Sequence, residues 1–458
     1  LGAAAVALLV AAAVVLVVRS SEGTGIPHPD QWDPRVRELA EWVSDARDLD
    51  WKHPVHVDFL TAEEYSQEAT TEEADLSDED RDALGHNAGV LRALGVASGE
   101  VDLLSAYNQV TDGGTLAFYN TQDGRIRVRG TEVTLGVEVT LVHELVHALQ
   151  DQHFDMDRVF DESLDSSESA AFRGVVEGDA IRVEERYVAE ELSPAEQAEY
   201  DEQYAEDLAA SEEATADVPS FVTAGFAAPY YLGHPLVLAI VNEGGNRAMD
   251  DALREPPTTE EHLFDPLAFL DGQEGEELEL GLDDVEVREE GPFGAPSWFM
   301  VLAEHLDVHQ ALDAGLGWAG DAYASFDRDG TACIRVAFAG DDGEDEDQMA
   351  TALGAWAAAL GDTVELLDLD GNPAFEACDP GPEASVPVEG RSADALLLPS
   401  LRGYLLADAL SVFDEDVARC YADRVVETVT WDQLSDPEAT FGGDALQGAM
   451  SDALAACR

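Results

Sequence analysis

Three histidines and an acid stand close together in "VHELVHALQDQHF", residues 142–154. On a helix, His143 and His147 lie one turn apart on one face. Both imidazoles can then reach a single metal ion at about 2.0–2.1 Å. Glu144 projects to the side, where it can hold a water beside the metal and take its proton rather than ligate. The neighbours Leu141, Val142, Leu145, Val146, Ala148 and Leu149 are apolar, which predicts a buried helix. Two imidazoles and a carboxylate in such a place need partners, and a metal supplies them.

A catalytic zinc site needs three protein ligands and an open position. His153 is one candidate for the third. The spacing is H-E-x-x-H-x-x-Gln150-x-x-H, with glutamine where a glycine would let the chain turn sharply out of the helix. If Gln150 stays helical, His153 lies about 15 Å along the axis from His143, out of reach. The stronger candidate is Glu177 in "GVVEGDAIRVEE", residues 174–185, thirty positions after His147. Gly178 and Ala180 beside it predict a helix that packs closely on the first, bringing the carboxylate to the same metal. Asp179 or Asp151 could orient the outer nitrogen of a histidine. The expected cofactor is Zn2+, with His143, His147 and Glu177 as ligands and Glu144 as general base.

Acyl chemistry also needs a donor for the developing oxyanion. Tyr230, Tyr231 and His234, at the start of a later helical segment, are candidates. Other motifs are weak. "DLDG" (368–371) lacks the third acid and spaced glutamate of a calcium loop, and neither G-x-S-x-G nor a phosphate loop occurs.

These residues must be positioned by elements that the pattern predicts. Asp33-Pro34 is expected to open a helix through about residue 47, a cap residue followed by proline in the first turn, and a strand is expected at "PVHVDFL" (54–60). Thr61 and Glu64 form a capping-box pair for the next helix. An acidic loop is expected over 67–80, then a helix to about 95. "TLAFYN" and "RIRVRG" flank Asp123-Gly124, which marks a tight hairpin. The metal-site helix follows over 133–154, and a second long helix over 167–192. Residues 193–218 read as a solvated acidic helix, and helical patterns resume at 229–254 and 294–315. From 331 the texture changes to strand, helix and strand. The fold class is α+β: a mainly helical domain with a small sheet (35–325), a small α/β unit (326–402) and a helical C-terminal unit (403–458).

The chain has 458 residues and a net charge of −73, with Lys52 its only lysine. Such a surface repels phosphate backbones and argues against a nucleic-acid partner; it suits a salty medium, where self-repulsion is screened. Residues 1–18 are uninterrupted apolar and as a helix span about 27 Å, close to a bilayer's hydrocarbon thickness. They predict an uncleaved signal anchor, followed by a polar stalk over 19–34, with the remainder outside the cytoplasm. Four cysteines behind an export signal suggest two disulfides. The local pairings are preferred, Cys333–Cys378 and Cys420–Cys457.

Strand, acidic loop, hairpin, "HELVH" helix and later glutamate helix together resemble the zincin metallopeptidases of the gluzincin type, over roughly residues 50–325. That resemblance implies zinc on His143, His147 and Glu177, with Glu144 as base. One departure is Ile181, where those enzymes carry an aspartate four positions after the glutamate ligand. "PYYLGHPLV", "EGGNRAMDDAL" and "GWAGDAY" resemble segments of bacterial membrane-anchored zincin-like proteins. The resulting expectation is an extracytoplasmic, membrane-anchored peptidase acting on a peptide or protein substrate. The alternatives are a non-catalytic envelope binding protein and a zinc amidase acting on cell-wall material.

Overall fold

Local rules account for the elements that carry the site. The computed structural model describes residues 26–113, 115–157, 166–282, 285–434 and 444–458; the expected anchor at 1–18 lies outside them. Helix α1 spans Arg37–Arg47 and strand β1 His56–Leu60. Thr61 caps α2 (Ala62–Ala69) through the expected reciprocal pair with Glu64. The acidic 67–80 stretch is less of a loop than expected. Helix α2 runs into it, and Ser77 and Asp80 form a second capping box that starts α3 (Asp78–Ala93). Helix α4 (Leu103–Gly113) follows.

Strands β2 (Ala117–Asn120) and β3 (Arg125–Arg129) form the hairpin, closed by Gly124 at φ 64°, a conformation that favours glycine. Strand β1 adds to β3 in parallel, so the sheet order is β1-β3-β2 and β2 lies at an edge. The long helices are α5 (Leu135–Phe154), α6 (Ser166–Glu191), α7 (Pro194–Ala214) and α8 (Ser220–Arg254). Helix α7 buries no residue, as its acidic composition predicts. Among the described residues α8 alone has the length and hydropathy to cross a membrane, but 67% of its apolar window is buried inside the fold.

Short helices α9 (Glu261–Phe264) and α10 (Pro266–Asp271) lead into a second sheet. This sheet contains β4 (Glu276–Glu277) and β5 (Val287–Gly291), then α11 (Ala295–Ala303) and α12 (Val308–Leu316) intervene. Strands β6 (Trp318–Arg328) and β7 (Thr331–Gly340), helix α13 (Gly343–Leu360), and strands β8 (Val364–Leu369) and β9 (Asn372–Cys378) complete it. The order is β4-β6-β7-β9-β8, with β5 also on β6. Helices α14 (Ser392–Ala395), α15 (Leu397–Leu410), α16 (Glu415–Val426), α17 (Trp431–Leu434) and α18 (Asp444–Cys457) end the chain. The fold is α+β, and both disulfides are those expected. Cys333–Cys378 joins directly paired residues of β7 and β9, and Cys420–Cys457 ties α16 to α18.

Two apolar cores result. One, from Val36 to Leu192, gathers α1, the first sheet, α5 and the C-terminal half of α6. The other runs from Ala88 to Ala453 and is common to α8, the second sheet and the terminal helices. The divisions expected at 325/326 and 402/403 fall inside β6 and α15. The change of texture at 331 falls at the turn between β6 and β7 of one sheet, within one shared core. Helix α6 feeds both cores: Val175 and Val176 enter the larger, Ala180 and Val183 the smaller. Glu177 therefore sits where the two cores meet.

Candidate metal centre

Thr134 caps the N-terminus of α5 by accepting from the Val137 amide, and the helix then runs unbroken through Gln150 to Phe154. His143 and His147 consequently face the same way, with ring centroids 4.6 Å apart. Glu177 comes to them from α6. Its Oε2 lies 3.3 Å from His143 Nε2 and 3.2 Å from His147 Nε2. The three ligand atoms lie within 4.8 Å of one another, and His143 and Glu177 are buried. In a tetrahedral site with ligand bonds of about 2.0–2.1 Å, neighbouring ligand atoms are about 3.3 Å apart. These side chains could hold a metal ion with little rearrangement.

The outer nitrogens are also fixed. His143 Nδ1 is 3.0 Å from Glu184 Oε2, and His147 Nδ1 is 3.1 Å from Gln150 Oε1. With each Nδ1–H donated outward, both Nε2 lone pairs point at the shared spot. Neither Asp151 nor Asp179 performs this role directly. Asp151 accepts from the Tyr119 hydroxyl and the Met156 amide. Asp179 accepts from Gln150 Nε2 at 3.0 Å and pairs with Arg47 Nε at 2.8 Å, both side chains wholly buried. It thus acts on His147 one step removed. Glu184, seven positions after Glu177, contacts the outer nitrogen of His143 where Ile181 cannot. The i,i+7 relation on a helix was the signal available for it.

Glu144 Oε2 accepts from the Tyr119 amide at 2.6 Å. An edge-strand N–H that does not pair within the sheet therefore anchors the expected base. Burial pushes the Glu144 carboxyl above its usual range, partly offset by the neighbouring imidazoles. Burial opposes protonation of His143, but the bonds to Glu177 and Glu184 outweigh it and hold its pKa well above the usual histidine range. Burial acts the other way on Glu177, where His147, His143 and Arg173 win and hold it well below.

His153 is turned away, its Nε2 2.9 Å from the Asp50 carbonyl. Of the three oxyanion candidates, Tyr230 comes closest, its ring stacked 6.4 Å from that of His143. Arg173, which the sequence reading did not single out, bonds to Tyr230 and lies 3.6 Å from Glu177 Oε1. His234 is held elsewhere, with Nδ1 2.8 Å from the Tyr404 hydroxyl, and burial pushes its pKa down to about 4. The Tyr231 carbonyl accepts from Ser400.

The glycines around Glu177 do not face α5, although Ala180 does. A Cβ on Gly178 would fall 2.5 Å from the Gly233 carbonyl oxygen, and one on Gly233 would overlap the Gly174 backbone. The close helix crossing is α6 on α8. It presses α6 from behind, while Ala180 and Val183 pack it toward α5. No protein-family model, curated protein or solved structure matches this chain.

Proposed function

We propose that this protein is a zinc metallopeptidase acting on a peptide or protein substrate outside the cytoplasm. The observation that carries the reading is the ligand count. Among the described residues three groups converge within 4.8 Å, with Glu177 3.2–3.3 Å from each imidazole, and His153, the nearest sequence candidate for a fourth, is bonded to Asp50. Three protein ligands leave one position for chemistry, whereas structural zinc sites are closed by four. The two disulfides support an extracytoplasmic setting, and the 1–18 segment would supply a single-pass membrane anchor.

When bound, zinc would polarise the scissile carbonyl and acidify water. The chain's own residues do the rest. Glu144, held by the Tyr119 amide, takes the proton of the attacking water on its carboxylate and returns it to the leaving nitrogen. The Tyr230 hydroxyl, with Arg173 behind it, donates to the developing oxyanion. Glu184 and Gln150 hold the two imidazoles in the ligating tautomer.

The test is metal content and hydrolysis together. Purified protein should hold about one zinc per chain, and Glu144→Ala should keep the metal while losing peptidase activity. Unchanged activity in that variant would refute Glu144 as the base.

A further inference from the structure

Resting on the peptidase reading above, we propose that the surface beside the metal centre binds a cationic side chain, lysine or arginine, of the peptide substrate. The wall that would bind it is made by Tyr204, Tyr231 and Tyr404.

The wall continues outward from the ligands. Glu184, on His143, accepts from the Tyr200 hydroxyl at 3.2 Å, and the Tyr200 ring lies 6.1 Å from that of Tyr204. Tyr204 comes from α7, Tyr231 from α8 and Tyr404 from α15. They are 58%, 38% and 36% exposed. With Tyr230 they make four of the eight large apolar side chains exposed among the described residues. Tyr231 lies within electrostatic reach of both Tyr204 and Tyr404, so this exposure gathers beside the site, the pattern of a binding surface rather than scattered surface residues.

Three carboxylates lie within electrostatic reach of the wall. After partial burial, Asp394 and Glu212 help raise the Tyr231 hydroxyl's pKa, and Glu185 that of Tyr404. An apolar occupant would strip water from these acids without compensation. A cation satisfies them and lies over the tyrosine faces, which carry negative potential.

The rest of the molecule shows what is missing here. Its arginines cap aromatic rings at several points: Arg35 lies 3.5 Å from the Phe59 ring centre, Arg129 4.2 Å from Tyr65, and Arg391 5.1 Å from Trp431. Among the described residues no arginine lies over Tyr204, Tyr231 or Tyr404. The nearby Arg173 and Arg182 are paired to Glu177 and Asp179. In a chain with 24 basic and 97 acidic residues, this wall is left for a cation from outside.

The experiment titrates the zinc-loaded Glu144→Ala full chain with three peptides identical except for one lysine, norleucine or glutamate. Calorimetry should show lysine binding roughly tenfold tighter than norleucine, with the advantage shrinking at high salt. Tyr204→Leu/Tyr231→Leu should abolish the preference, and Tyr204→Phe/Tyr231→Phe, which keeps the ring faces, should retain it. Equal binding of lysine and norleucine, or a lysine preference that survives the leucine variant, overturns the proposal. Cleavage assays on the wild type separate the two readings. Peptides cut without any lysine preference leave the peptidase reading standing and sink the subsite. A tyrosine-dependent lysine preference without cleavage does the reverse.

Discussion

Gln150 Oε1 lies 3.1 Å from His147 Nδ1, and the same amide's Nε2 donates to Asp179 at 3.0 Å. The glutamine that keeps the helix straight past the second histidine also sets that histidine's tautomer. Gln150→Ala should weaken metal affinity by about 10–100-fold, read by competition with a chelator. Unaltered affinity would show that the contact does not orient the ligand.

Arg47 anchors the same relay from α1. Its pair with Asp179 is wholly buried, and Arg47 also meets Asp250 at 2.9 Å. Arg47→Met should destabilise the fold by about 1–3 kcal/mol, because Asp179 and Asp250 lose a buried partner while Arg182 still pairs with Asp179. Adding Asp179→Leu should recover part of that loss. Denaturant unfolding of both variants decides it; a double variant no more stable than Arg47→Met would mean that packing, not charge, dominates.

The α6–α8 crossing depends on Gly233. Its Cβ would overlap the Gly174 backbone, so Gly233→Ala should cost about 1–3 kcal/mol or more. Gly85, in α3 with nothing within 4 Å of its would-be Cβ, is the control. Gly85→Ala should be stabilising by up to about 1 kcal/mol. Thermal unfolding that ranks the two the other way round would contradict the crossing.

Glu261 is 5% exposed, and burial, with Asp341 and Asp265 nearby, pushes its pKa from 4.5 up to about 8. Its folded-state pKa is raised, so the folded protein binds the extra proton. The contribution to stability is fully present below pH 4.5 and is lost as pH rises to about 8. Glu261→Gln should therefore match the wild type at the acid end and exceed it in stability above about pH 8. A stability difference that does not vary with pH would rule out this titration.

Much of the site could be read from the chain because its logic is local. The i,i+4 spacing of His143 and His147, the Thr61–Glu64 box, the Asp123-Gly124 turn and the run through Gln150 that removes His153 all act within a few residues. Other elements could not be read so. Helix α4, strands β6 and β9 and helix α15 carry weak periodic signals; β6 and β9, for example, form because β7 lies between them to pair with.

The sequence by itself determined the α+β class, the helix bearing two histidines and a glutamate, the carboxylate thirty residues on, and two local disulfides. Tertiary structure decided which groups stand behind them. Glu184 rather than an aspartate meets His143, Gln150 rather than Asp179 meets His147, a strand amide holds Glu144, and the glycines of α6 meet α8 instead of α5. Spacing along one helix fixes which side chains share a face. It cannot say which other helix will cover that face, because that choice is settled by packing across the two cores that meet at Glu177.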